Sequence, residues 1–221
     1  MDSTLDFYFD FASPFAYLAS TQIEAIARDT KATLRWHPML LGAIFKQLGT
    51  PNVPLFAMPA PKQRLYRLDM LRSAEILDIP FAFPTRFPLN TVRALRCYLV
   101  LAEHDESSSH APSPSASSVP AGPAHAFAHR VFKACWAEDR DPADPETLRT
   151  LLDEIGAPAD DVIAASTGDR AKQALRTATS AALEAGVFGA PTCIVKGELL
   201  FWGHDRLHMV KEALKGWIPP V

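Results

Sequence analysis

Cysteine is scarce in this chain: there are three in 221 residues, at positions 97, 135 and 193, and no Cys-x-x-Cys among them. That scarcity argues against a disulfide framework and against a cysteine-built zinc site. Histidine pairs four apart occur at His125/His129 and His204/His208. Neither pair sits in His-Glu-x-x-His or has a third ligand nearby, so no metal is expected. Long runs of one charge are missing too. Net charge is −3 and the pI is about 6.2, which argues against nucleic acid as the main partner. No apolar run is long enough to cross a bilayer, and no charged segment followed by an apolar one opens the chain. No membrane association is expected, and the sequence reads as a soluble cytoplasmic protein.

What is present is ordinary globular material, 48% hydrophobic and 21% charged, enough for one sizeable core or one core with an inserted subdomain. The most informative stretch runs from Leu5 to Tyr17. Leu5, Phe7, Phe9 and Phe11 alternate with Asp6, Tyr8 and Asp10, the period of a strand with one buried face. Ser13-Pro14 then changes the pattern. Serine is a preferred helix N-cap and proline suits the first turn, and Phe15, Leu18, Ala19, Ile23 and Ile26 follow at helical spacing. A helix N-terminus stabilises an anion placed against it. Ser13 is therefore either a plain cap or a cap that also donates a hydrogen bond to an anion.

Residues 32–36 alternate as a second strand, completing a βαβ unit with a right-handed crossover. A short helical pattern from Met39 to Leu48 closes at Gly49, and four prolines make residues 50–61 a loop. Lys62 to Leu77 reads as a helix with Leu65, Leu68, Leu71, Ile76 and Leu77 inward and Arg64, Arg67 and Arg72 outward. Pro80, Pro84 and Pro88 then impose an irregular segment, and Asn90-Thr91 starts another helix. Residues 106–123, rich in Ser, Pro and Ala, have almost nothing to bury and read as a flexible insertion. Helices are expected over 127–136, from Asp144-Pro145 to Leu152, from Asp160, and over 167–184. Cys193–Val195 and Leu199–Trp202, joined by a Lys-Gly-Glu turn, form a hairpin ahead of a last helix, so this end reads ββα. The chain is thus expected to be α/β, its two ends forming one domain (1–41 and 168–221) around an inserted helical domain (42–167).

βαβ and ββα units, with Ala190-Pro191-Thr192 ahead of the third strand, resemble the thioredoxin-like fold, in which the proline at that point is usually cis. Redox members carry Cys-x-x-Cys where this chain has Ser13-Pro14-Phe15-Ala16, which excludes thiol–disulfide exchange at the turn. Three segments in order, Phe9–Tyr17, Phe188–Thr192 and Trp202–Arg206, resemble the 2-hydroxychromene-2-carboxylate isomerase family, related to kappa-class glutathione transferases and DsbA-like proteins. The resemblance implies glutathione as cofactor. Its thiol would sit at Ser13, its cysteinyl backbone would pair with Ala190 beside Pro191, and its γ-glutamyl end would meet Trp202, Gly203, His204, Asp205 and Arg206. It further implies a small aromatic carboxylate as substrate and a homodimer. Lys46, Asn52, Arg86 and Asn90, with Lys62 behind them, are the candidates for contact with that substrate. The implied reaction is a cis-to-trans isomerisation by reversible thiolate addition, with Ser13 keeping the thiolate populated. Two rivals stay open: a kappa-type transferase or peroxidase using the same site, and a DsbA-fold binding protein without catalysis.

Overall fold

In the computed structural model, which describes residues 3–108 and 122–220, four strands form one sheet in the order β2-β1-β3-β4. They are β1 (Thr4–Phe9), β2 (Thr33–Pro38), β3 (Thr192–Val195) and β4 (Leu199–Trp202). β1 runs parallel to β2, with Phe7 opposite Trp36, and antiparallel to β3, with Phe7 opposite Cys193. The crossover is α1 (Pro14–Thr30), which ends on Lys31 at φ 56°. β3 turns into β4 through Lys196 (φ 55°) and Gly197 (φ 74°), and the Glu198 N–H donates to the Val195 carbonyl at 3.2 Å. Positive φ at both central residues matches the twist of a tight hairpin. The expected βαβ and ββα halves are both present.

One sheet face carries Leu5, Phe7, Phe9, Trp36 and Val195, packed on α1, α5 (Val92–Ser108), α6 (Pro123–Ala137) and α10 (Leu207–Leu214). The second face is covered as well. Tyr8, Met39 and Ile194 pack there against Ile44 of α2 (Leu41–Gln47) and Ala182 of α9 (Asp169–Glu184). The alternation in β1 therefore marks two buried faces, not one: Asp6 is 7% exposed, and Asp10, just past the strand, 1%. Buried carboxylates require donors. Asp6 finds Arg35 at 2.9 Å and His37 at 2.8 Å, and these hold its pKa below the ordinary value against the upward push of burial.

Several expectations need correction. The proline-rich stretch 50–61 contains α3 (Pro54–Ala57) and the start of α4 (Ala60–Ile76), because prolines at the first positions of each helix suit them. The inward face of α4 is Met70 and Ala74, while Leu65, Leu68, Leu71 and Ile76 are exposed. The helix carries leucines on more than one side, so spacing alone does not select its buried face. A break at Gly168 separates α8 (Ala159–Thr167) from α9, so the short helix and the long one are distinct, with the long one starting two residues later than expected. α7 (Pro145–Glu154) is capped by Asp144, as its sequence indicates. Most of the 106–123 insertion lies outside the described residues. At its edges, α5 continues through Ser108 and α6 begins at Pro123.

Two contacts fasten this region, one from α6 to the segment after β1 and one from α1 to the irregular segment after α4. The Trp136 indole donates to the Phe11 carbonyl at 2.8 Å, and the Tyr17 hydroxyl donates to the Pro80 carbonyl at 2.8 Å.

Candidate active site

Ser13 caps α1 with extended backbone (φ −98°, ψ 115°), and its oxygen accepts the Ala16 N–H at 3.2 Å. The same hydroxyl donates to the carbonyl of Ala190 at 2.9 Å. The Ala190-Pro191 bond is cis. The bend is braced on both sides: the Thr192 hydroxyl donates to the Gly189 carbonyl at 2.7 Å, and the Gly203 N–H donates to the Pro191 carbonyl at 3.0 Å. Gly203 has φ 108° and lies so close to Asp205 that a Cβ would stand 2.5 Å from its Oδ1. No acidic side chain occupies the first turn of α1, so its positive end is open to an anion.

A cleft of about 910 Å³ opens over this junction. Ser13, Ala190 and Pro191 form its floor, and Trp202, Gly203, His204, Asp205 and Arg206 form one end. Asp205 and Arg206 are ion-paired, and Trp202 leans on Phe188 with ring centres 5.3 Å apart. His204 stacks on Phe15 at 4.9 Å, and its Nε2 lies 3.1 Å from the Ser73 hydroxyl oxygen. Burial holds the imidazole below its ordinary pKa, with Asp205 and Asp69 opposing that shift. Tyr66 packs edge-on to Phe15 at 5.0 Å, and burial pushes its phenol up to about 12.

Asn52 and Asn90 face the same cleft among apolar neighbours such as Val53, Leu55, Phe83 and Phe87. Lys46 lines a neighbouring hollow beside Thr50 and Asn52. Arg86 stands outside the cleft wall, its Nη1 3.2 Å from Asp141 Oδ2, and Lys62 is an exposed residue of α4 that does not line the cleft. A charged side chain in a proline-rich loop gives no local clue to its partner, which for Arg86 lies 55 residues on.

Asp10, Tyr66, Ser73 and Thr91 also line the cleft and are not among the candidate site residues that the sequence indicates. Tyr66 and Ser73, seven apart on α4, share the helix side that faces His204, a spacing that was there to be read. Asp10 accepts from the Ala12 N–H, the Thr91 hydroxyl and the Leu41 N–H at 2.6–3.0 Å. Burial holds its pKa above the ordinary value, and these donors offset only part of that push. The chain's own thiols are all buried and none lines the cleft; burial alone pushes Cys193 up to about 12. A thiolate at this site must come from a ligand.

Comparison with known proteins agrees with this architecture. A 2-hydroxychromene-2-carboxylate isomerase of Sphingobium xenophagum is 28% identical over 214 residues, covering 97% of this chain and 99% of the relative. Glutathione S-transferase kappa 1 of Caenorhabditis elegans is 25% identical over 222 residues, covering 96% of this chain and 90% of the relative. A solved 2-hydroxychromene-2-carboxylate isomerase superposes with a TM-score of 0.75 at 28% identity, over 96% of this chain and 94% of that one. Residues 4–215 match the model of the DSBA-like thioredoxin domain. With a thioredoxin-like sheet, a helical segment between its halves and a match spanning nearly its whole length, the chain belongs to the family of DSBA-like thioredoxin domains.

Proposed function

We propose that the protein is a glutathione-dependent isomerase that converts 2-hydroxychromene-2-carboxylate to trans-o-hydroxybenzylidenepyruvate. The observation that carries this reading is the contact of Ser13 with Ala190: a hydroxyl at a helix N-terminus, against a peptide carbonyl, with no cysteine of the chain in the cleft. The similarity to proteins named as isomerases supports it.

The cleft fits a thiol tripeptide by its donor set. Ala190 offers backbone to the cysteinyl unit, Asp205 can accept from an ammonium, and the Arg206 guanidinium can meet a carboxylate. When bound, glutathione supplies a sulfur nucleophile whose reversible addition to the conjugated double bond of the ring-opened acid lets that bond turn from cis to trans. Ser13 would hold the sulfur as its anion. Its single proton now points at the Ala190 carbonyl, so a ligand N–H taking that carbonyl would release the hydroxyl to donate to sulfur. The positive end of α1 adds to the same effect. Asn52 and Asn90 would receive the polar groups of the substrate, with Lys46 at the edge, while the apolar wall takes its ring. Trp202, Gly203 and His204 would close the γ-glutamyl end.

Arg86 and Lys62 have no place in this reading. A homodimer and cytoplasmic residence belong to the same proposal. The exposed leucines of α4 offer a face for self-association, and three free buried cysteines suit a reducing compartment. Among the described residues no helix is long and apolar enough to cross a membrane.

The test is turnover of hydroxychromene carboxylate with and without glutathione, with glutathione counted before and after. Dependence without net consumption supports the isomerase. Consumption would favour a transferase, the second reading, which the kappa relative supports. No shift of melting temperature with glutathione would favour a binding protein without this chemistry.

A further inference from the structure

Asp69 and Asp205, two of the acids lining the cleft, each pair with an arginine. The partners that reach Asp10 are all neutral. Its Oδ1 accepts the Ala12 N–H at 3.0 Å and the Thr91 hydroxyl at 2.6 Å, and its Oδ2 accepts the Leu41 N–H at 2.8 Å. Each donor belongs to a different wall of the cleft. Ala12 leads directly into Ser13, Leu41 opens α2 and the path to Asn52, and Thr91 lies between Asn90 and the start of α5. All three stand at or just before a helix N-terminus, so one side chain ties together the starts of three helices. The sheet in turn fixes Asp10, which follows the last residue of β1, where the Met39 N–H donates to the Phe9 carbonyl at 3.0 Å.

We propose that Asp10 is a positioning residue: through Ala12, Leu41 and Thr91 it sets the separation between the serine turn and the two walls bearing Asn52 and Asn90. The aromatic acid is thereby held against the sulfur at Ser13. This rests on the isomerase reading for its substrate. Asp10 is not itself placed to move a proton to substrate, since it is 1% exposed and both oxygens are engaged. Asparagine cannot replace it: one of its two polar atoms is an NH2 group, which would face either the Leu41 N–H or the Ala12 and Thr91 donors.

The test compares Asp10→Asn, Thr91→Val and Thr91→Ser with the wild type, all below their melting temperatures. Thr91→Val keeps the shape and deletes one donor, while Thr91→Ser keeps the donor. Four readouts are taken: melting temperature, glutathione affinity, affinity for ortho-hydroxycinnamate as an unreactive conjugated acid, and kcat. In Asp10→Asn and Thr91→Val, hydroxycinnamate affinity and kcat should each fall about tenfold or more, with glutathione affinity within about twofold of wild type. Thr91→Ser should restore both. Wild-type hydroxycinnamate affinity in Asp10→Asn and Thr91→Val, or an equal loss of glutathione affinity, overturns the proposal. If the wild type shows no isomerisation while the binding pattern holds, the isomerase reading fails and the role of Asp10 stands.

Discussion

Gly189 meets the Trp202 indole with nothing between them: a Cβ built on the glycine would lie 2.6 Å from Nε1. Alanine at 189 must therefore push the indole away from the cleft end. Trp202 is 52% exposed, so the displacement should cost little stability. We expect Gly189→Ala to weaken glutathione binding about tenfold with a small change in melting temperature, read by calorimetry and thermal unfolding. Unchanged affinity would remove Trp202 from the binding surface.

Ser13→Ala deletes the cap of α1 and the hydroxyl that faces Ala190. Loss of a serine cap costs about 1 kcal/mol, a deficit that urea unfolding would read. Turnover should fall much further, by about 10²-fold, the scale seen when one donor to a developing anion is removed. A variant with that stability deficit and full activity would reduce Ser13 to a cap.

The strand-turn-helix from residue 4 to 30 and the closing hairpin were legible because their signals are local: alternation, a serine-proline boundary, a Lys-Gly turn. Residues that act through distant partners were not. Asp10 looks like the polar half of an alternating strand, and only the positions of Leu41 and Thr91 in space reveal it as a buried acceptor. Arg86 is a candidate only through the family resemblance, and nothing local in its proline-rich loop announces the pairing with Asp141 that the fold gives it. On α4, leucines at 65, 68 and 71 suggested a core face, but packing against α1 and the irregular segment chose Met70 and Ala74 instead. Periodicity reports that a helix is amphipathic; it does not say what the neighbouring elements leave uncovered.

His204 gives a pH dependence with a definite sign. Burial keeps its folded pKa below the ordinary 6.5, so between those two values the unfolded chain binds more protons than the folded one. Stability then rises with pH across that window and is lost as pH falls below 6.5. We expect the melting temperature to drop between about pH 7 and about pH 5, and His204→Gln to flatten that drop. An equal slope in both proteins would place the titrating group elsewhere.

Trp136 fills the space below the serine turn and donates to Phe11. Phenylalanine there leaves a void and an unpaired buried carbonyl, a combination worth about 2–4 kcal/mol. Chemical denaturation of Trp136→Phe measures that loss. Because Phe11 lies two residues before Ser13, kcat should fall in the folded variant as well, with glutathione affinity less affected.

Arg86→Ala provides a contrasting case. The guanidinium is 76% exposed in its pairing with Asp141, and exposed pairs contribute little. Stability and substrate KM should both stay close to wild type in steady-state assays. A large rise in KM would bring Arg86 into the site by a movement of its loop.

The hydroxyl and the carbonyl that meet at the cleft floor are separated by 177 positions in the chain. During synthesis on a ribosome, the serine turn emerges early and waits for almost the entire remaining polypeptide before its counterpart exists. Closing so large a loop is entropically expensive but only weakly dependent on its length, and non-local pairing of this kind slows folding. A nascent chain halted short of residue 190 would therefore carry every residue of the opening turn and still lack the floor of the cleft, so any ligand of that cleft could rescue only finished molecules.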